Sequence, residues 1–306
     1  NTNVKVFAVK NDLGKVVYEI CTDYRDLEQF YKSKYCQAFL NKAFYERLIS
    51  AISNEAVCLI IGTPCVLSGI KNTLLAQKAK LTSCIFVDLV CHGVMSQSVY
   101  HTHLEECKKR WGGVVTQHYF RYKRAVTKDC PEGSHWNLYK VNNEIIIKKS
   151  DDDYYMQTYF ADLAMRETCY CCQFTGTNRI GDITIGDFNN AHILCSQFDG
   201  LRSVSLVLVN TDKGQRFIDE CNNNTVNLQP VDIKLLQKFN TPLTAPIKRP
   251  FQRSLFYTFY NSLGLSRTVS LLNYKYYLRK IIVAFGGKKL LLKIKALLGR
   301  SYIDIE

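Results

Sequence analysis

Apolar and polar positions alternate over Val4-Lys5-Val6-Phe7-Ala8-Val9, break at Asn11-Asp12-Leu13-Gly14 and resume over residues 16–20. That pattern predicts a strand, a turn and a second strand. Residues 26–31 suit a short helix. A connector, Ser33-Lys34-Tyr35-Cys36-Gln37, leads to a longer one over residues 41–53, where Phe44, Leu48, Ile49 and Ile52 recur at helical spacing. Residues 56–61 then form an unbroken apolar run, as expected of a strand covered on both faces. The run ends at Gly62-Thr63-Pro64-Cys65. A helical pattern over residues 66–80 and a second apolar run, 84–90, follow, the latter ending at Cys91-His92-Gly93. This is a βαβ unit with two parallel strands.

A further helix is predicted over residues 98–111. Aromatic and β-branched residues alternate between 114 and 149, interrupted at Pro131-Glu132-Gly133 and Asn142-Asn143, which reads as an antiparallel insertion. Residues 154–164 read as a helix, 183–185 and 203–209 as strands, and 213–221 as a helix. Beyond residue 240, Pro242, Pro246 and Pro250 punctuate a linker before apolar and basic residues return at helical spacing. The expected fold class is α/β: a mostly parallel sheet with a βαβ core, an inserted antiparallel β segment and a C-terminal helical extension. The expected division is a body over 1–240 and a basic extension over 241–306.

Composition changes this picture in two ways. The 306 residues carry a net charge of +13, but residues 248–306 hold twelve Lys/Arg against two Asp/Glu, a net of +10, so the remainder carries +3. Helices packed on the body, or a surface touching anionic lipid at the membrane, are the open readings of that tail. Nucleic acid is not expected as a partner, because no recognised binding motif accompanies the charge. No apolar run reaches the roughly 18 residues of a spanning helix, and the first residues lack a signal-peptide pattern, so a cytoplasmic location is expected.

The second change is the count of thirteen cysteines. An odd number scattered through apolar runs is no disulfide framework. Cys21, Cys58, Cys84, Cys107 and Cys221 are expected to pack as small hydrophobes. Cys65 and Cys91 differ: each follows the carboxyl end of a predicted parallel strand, where open α/β sheets bind ligands. Cys169 and Cys172 have the spacing at which one loop grips one metal or cluster. Four thiolates suit a cuboidal iron–sulfur cluster. A structural zinc site with the same ligands, or a loop with two unremarkable cysteines, remains open. Cys171 is expected to point away. No Ser–His–Asp order, P-loop, HExxH or GxGxxG pattern is present.

Six motifs carry a resemblance. They are Ser33-Lys34-Tyr35-Cys36-Gln37; Gly62-Thr63-Pro64-Cys65; Val87-Asp88-Leu89-Val90-Cys91-His92-Gly93; Arg166-Glu167-Thr168-Cys169-Tyr170-Cys171-Cys172; Gly181-Asp182-Ile183-Thr184-Ile185-Gly186-Asp187-Phe188; and the run from Ser205 to Gly214. In these residues, over roughly 5–250, the chain resembles the coenzyme F420 hydrogenase/dehydrogenase β-subunit family. The resemblance implies an oxidoreductase that holds FAD beside a [4Fe–4S] cluster and passes electrons between a hydride carrier and one-electron partners. It implies Cys65, Cys91, Cys169 and Cys172 as cluster ligands.

Ser33, Lys34, Tyr35, Gln37, Thr63, His92, Arg166 and Asp187 are the expected cofactor-binding residues. The chain opens without the ferredoxin-like cysteine module of many members, so a redox partner protein or ferredoxin-like module is the expected partner. Similar short forms belong to surface-polysaccharide gene clusters, which points to polysaccharide biosynthesis and makes coenzyme F420 itself a doubtful carrier. A non-catalytic, metal-stabilised scaffold of a polysaccharide assembly complex is the alternative.

Overall fold

The structure is a computed structural model, and it describes residues 4–12, 14–122, 136–188, 191, 204–221 and 227–273. The Pro131-Glu132-Gly133 turn and most of the basic tail lie outside the described residues. The chain divides into two compact units, Asn1–Pro250 and Phe251–Glu306.

In the first unit β1 (Val4–Asp12) and β2 (Lys15–Cys21) form the predicted hairpin. Helix α1 (Lys42–Ser53) is capped by Asn41, whose side chain accepts the Phe44 N–H. Strand β3 (Val57–Gly62), helix α2 (Pro64–Ala76) and strand β4 (Cys84–Leu89) are the βαβ unit, with its strands parallel. Helix α3 (Gln97–Trp111) leads to β5 (Val115–Tyr122), β6 (Trp136–Val141) and β7 (Glu144–Lys149). These three make a separate antiparallel sheet, as the aromatic alternation predicts.

After helix α4 (Tyr154–Phe160) come β8 (Ile183–Asp187), β9 (Ser205–Val209), α5 (Asp212–Cys221) and α6 (Ile233–Phe239). Among the described residues the main sheet has the order β2-β1-β3-β4-β8-β9. It is parallel from β1 to β8, with antiparallel β2 and β9 at its edges. Alternate residues of β3 explain why its run is apolar throughout. Cys58 and Ile60 pack with Phe44, Leu48, Leu67 and Ile70 of α1 and α2, whereas Leu59 and Ile61 join the cluster containing Phe217 and Ile218 of α5.

The inserted sheet closes over a buried polar network. Tyr139 donates to Asp153 Oδ2 at 2.5 Å, and His103 Nε2 lies 2.9 Å from the Tyr139 hydroxyl. His118 sits between the Tyr100 hydroxyl at 3.2 Å and Asn137 Oδ1 at 3.2 Å. Asp153 also caps α4 through the N–H groups of Tyr155 and Met156.

Two expectations need correction. The helix predicted over 154–164 stops at Phe160, because Asp162 turns into the left-handed region with φ 54°, which a short polar side chain tolerates. Cys221, expected in the core, is exposed, whereas Cys21, Cys58, Cys84 and Cys107 are buried. The second unit contributes α7 (Gln252–Leu263) and α8 (Leu265–Leu272), joined at Gly264 with φ 78°. No helix among the described residues is long and apolar enough to cross a membrane.

Candidate functional site

The site lies at the carboxyl ends of β3 and β4. Strand β3 ends at Gly62, where a side chain is impossible without rearrangement: an added Cβ would lie 2.2 Å from the buried Tyr18 hydroxyl. Thr63 precedes proline and is therefore held extended, with φ −68° and ψ 147°. That is the conformation of a helix N-cap, and Pro64 follows as a first helical residue with no N–H to lose. Cys65 consequently projects from the first turn of α2, at the end of the helix that favours anionic groups. It is exposed, and its Sγ is 3.5 Å from Thr63 Oγ1.

Register brings Cys91 alongside. Strands β3 and β4 pair Cys58 with Cys84 and Gly62 with Asp88, an offset of 88 − 62 = 26. The two cysteines beyond the strands have the same offset, 91 − 65 = 26. The segment after Cys91 is then pinned on two sides. Met95 bridges Cys36 in parallel and Met165 in antiparallel fashion. Gln37 N donates to Met95 O at 2.9 Å and Arg166 N to Val94 O at 3.0 Å. Three segments distant in sequence thus form a short ladder, and Gly93 sits where an added Cβ would come within 3.6 Å of Cys169 Cβ.

Cys169 closes a one-turn 3₁₀ helix, Glu167–Cys169, its N–H bonded to Arg166 O at 2.9 Å. Cys91 and Cys169 feel the neighbouring thiols. Burial pushes Cys91 up to about 12, and Cys65, Cys169 and Cys172 push in the same direction. Cys169 is raised by burial and by Cys65 and Cys172, against the lowering influence of a backbone bond to Val94 and of nearby Arg166. Crowded, partly desolvated thiols resist ionisation until a cation neutralises them. Cys171 is exposed, its sulfur directed at the Glu167 and Thr168 carbonyls. Among the described residues no three His, Cys, Asp or Glu side chains are grouped tightly enough to hold a single metal ion.

The other predicted residues divide. His92 Nε2 lies 2.7 Å from Asp162 Oδ1, a contact made possible by the early end of α4. Its ring is 5.7 Å from that of Tyr159, which in turn lies 4.5 Å from Tyr35. Arg121 bonds both Tyr35 and Asp187, linking the end of β8 to this aromatic group. Gln37 is spent on backbone contacts: its carbonyl accepts from Gln97 at 2.8 Å. Lys34 donates to Phe30 O and Tyr31 O at 2.7 and 2.8 Å, closing the short 3₁₀ helix Tyr24–Phe30, and burial lowers its ammonium to about 8. Ser33 is exposed. The structure therefore puts Cys65, Cys169 and Cys172 within electrostatic reach of Cys91, Thr63 beside Cys65 and Arg166 near Cys169. His92, Tyr35 and Asp187 connect through Tyr159 and Arg121, and Ser33 and Lys34 stay on the connector.

Sequence reasoning missed Tyr159, Asp162 and a buried ion pair, Asp88 with Arg179, 2.9 Å apart. One signal was present: Asp88 is the only charged residue within the apolar run 84–90, and a buried carboxylate demands a partner.

The family model for the C-terminal part of the coenzyme F420 hydrogenase/dehydrogenase beta subunit matches residues 56–234. The chain belongs to this family. Its members are oxidoreductases, and the matched region runs from just before β3 to the start of α6, so it includes all four cysteines. Comparison with curated proteins gave no match. Among solved structures, a chain of the F420-reducing [NiFe] hydrogenase complex from Methanosarcina barkeri is similar, at 13% identity and a TM-score of 0.46. The similarity covers 78% of this chain and 76% of that one.

Proposed function

We propose that this β-subunit family member is an iron–sulfur flavoprotein oxidoreductase in which Cys65, Cys91, Cys169 and Cys172 hold a [4Fe–4S] cluster and FAD sits beside it. The observation that carries this reading is that Cys65, beyond the strand next to its own, and Cys169 and Cys172, from one later turn, all lie near enough to raise the Cys91 thiol. The donor set fits such a cluster, which takes four cysteine thiolates, and Arg166 is near enough to favour the thiolate of Cys169. For the flavin, the support is the Tyr35–Tyr159 ring pair, with His92 beside Tyr159 and Arg121 beside Tyr35. When bound, the pair supplies two-electron chemistry at the flavin and one-electron transfer at the cluster.

The chain's own groups position and shield. Thr63 Oγ1 lies 3.5 Å from the Cys65 sulfur, and the charge of Arg166 favours the Cys169 thiolate. Tyr159, itself 6% exposed, lies between the cysteines and the aromatic group. His92 with Asp162 can hold a proton at Nε2 beside Cys91. A one-electron partner protein completes the circuit, and the basic stretch beyond residue 248 suits an anionic lipid surface. Surface-polysaccharide biosynthesis is the setting proposed for the reaction.

Anaerobic purification followed by iron, acid-labile sulfide and flavin analysis tests this directly. A brown protein with about four irons and four sulfides per chain and a titratable flavin site is expected. Bound zinc without colour defeats the cluster. A metal-bound chain that takes up no flavin is instead the scaffold.

A further inference from the structure

Beyond the one-turn 3₁₀ helix that ends at Cys169, the segment carrying Cys172 has no helix or strand to hold its shape: from Tyr170 to Asp182 the backbone runs through turns, bends and irregular chain. We infer that the buried Arg179–Asp88 pair is the device that positions it, setting the distance between the Cys169–Cys172 turn and Cys91. The inference rests on the cluster reading above. The Arg179 side chain is 1% exposed and the Asp88 side chain 0%. Its guanidinium reaches both ends of the gap. Nη2 donates to Leu89 O at 2.9 Å, two residues before Cys91, and to Asp88 Oδ1 at 2.9 Å. Nη1 donates to Phe174 O at 3.0 Å and Gly176 O at 3.3 Å, just beyond Cys172. Asp88 Oδ2 then accepts from Ile180 N at 3.1 Å and Gly181 N at 2.9 Å, closing the far side of the same loop.

Burying an ion pair contributes little net stability, but its geometry is specific. A planar fork that satisfies carbonyls on two segments at once defines their separation as a point charge does not. Lysine in its place keeps the charge beside Asp88 but loses the fork. The loop glycine agrees with this tight docking: an added Cβ at Gly181 would lie 2.8 Å from Asp88 N and 2.9 Å from Phe86 O.

The test uses the full chain, reconstituted anaerobically with iron and sulfide, as wild type, Arg179→Lys and the double variant Asp88→Asn/Arg179→Met. The last removes both charges together and so keeps the fold accessible. Leu48→Ala, in α1, is the control for general destabilisation. Iron loss to a chelator is expected to accelerate about 10-fold in both Arg179 variants. The electron paramagnetic resonance signal of the reduced cluster is expected to change shape in Arg179→Lys, while Leu48→Ala lowers the thermal midpoint with the signal unmoved. Wild-type chelator kinetics and an unchanged signal in both Arg179 variants overturn the inference. A lowered thermal midpoint with that signal unchanged overturns it equally, since the pair is then only structural. A wild-type chain that takes up no cluster removes the proposed function itself, and this inference with it.

Discussion

Single side chains decide whether the site exists. Cys91 is the thiol on which Cys65, Cys169 and Cys172 all act, so on the proposed cluster reading Cys91→Ser is expected to abolish iron retention while the apo chain keeps its far-ultraviolet circular dichroism. Quantifying iron in the variant against wild type checks it. Gly62 depends on Tyr18 in a way that a double-mutant cycle can read. Gly62→Ala drives a Cβ against the Tyr18 hydroxyl, 2.2 Å away without adjustment, and only 3.2 Å from the ring carbon bearing it. Overpacking of that kind costs about 1–3 kcal/mol. Removing the hydroxyl with Tyr18→Phe frees the nearer contact, so the double variant is expected to be less destabilised than the sum of the two singles, a coupling of roughly 0.5 kcal/mol or more. Denaturant midpoints of the four proteins measure it, and strict additivity contradicts the contact.

Elements place those side chains. Helix α2 presents Cys65 because a pre-proline residue becomes its N-cap, and α4 releases Asp162 to His92 because the helix stops one turn early. Segment 92–95 is held between the Cys36 and Met165 segments by backbone pairing, with the His92–Asp162 contact at one end, so its one glycine is the sensitive point. At Gly93 an added Cβ would meet Ile247 Cδ1 and Met165 Sδ, each at 3.3 Å. Gly93→Ala is expected to cost about 1–3 kcal/mol and, on the proposed cluster reading, to loosen iron binding by displacing Cys91 from Cys169. Thermal unfolding with parallel chelator kinetics shows both effects, and a loss of stability alone means that the crowding is absorbed on the Ile247 side.

The molecule's response to acid follows from the network under the inserted sheet. Burial lowers His118 from 6.5 to about 3, and neighbouring His103 works in the same direction. His103 is itself lowered by burial, against the pull of Asp153. An unfolded chain binds protons at these positions that the folded chain refuses, so stability falls as pH drops below 6.5. For His118 the loss reaches about 2 kcal/mol by pH 5. Asp153 is raised by its burial, yet His103, His118 and Tyr139 together hold its carboxyl below the ordinary 3.8, so its own contribution is lost only at lower pH. His118→Gln is therefore expected to flatten the dependence of the thermal midpoint on pH between 6.5 and 5. An unchanged slope in that variant rules out His118 as the source.

Much of this was legible without coordinates, because it depends on contacts between near neighbours along the chain. Period-two and continuous apolar runs dictate β1 to β4 and the antiparallel insertion. Proline and glycine punctuation dictates the turn before Cys65. Folding supplied what depends on pairing between distant segments. The offset of 26 that aligns Cys65 with Cys91 is a sheet register, and the ladder joining residues 36, 95 and 165 spans nearly 130 positions. Asp88 looked anomalous in an apolar strand, yet nothing in the local pattern named Arg179, ninety-one residues later, as its partner. A charge signals its need locally; the group that meets the need is chosen by how the chain closes on itself.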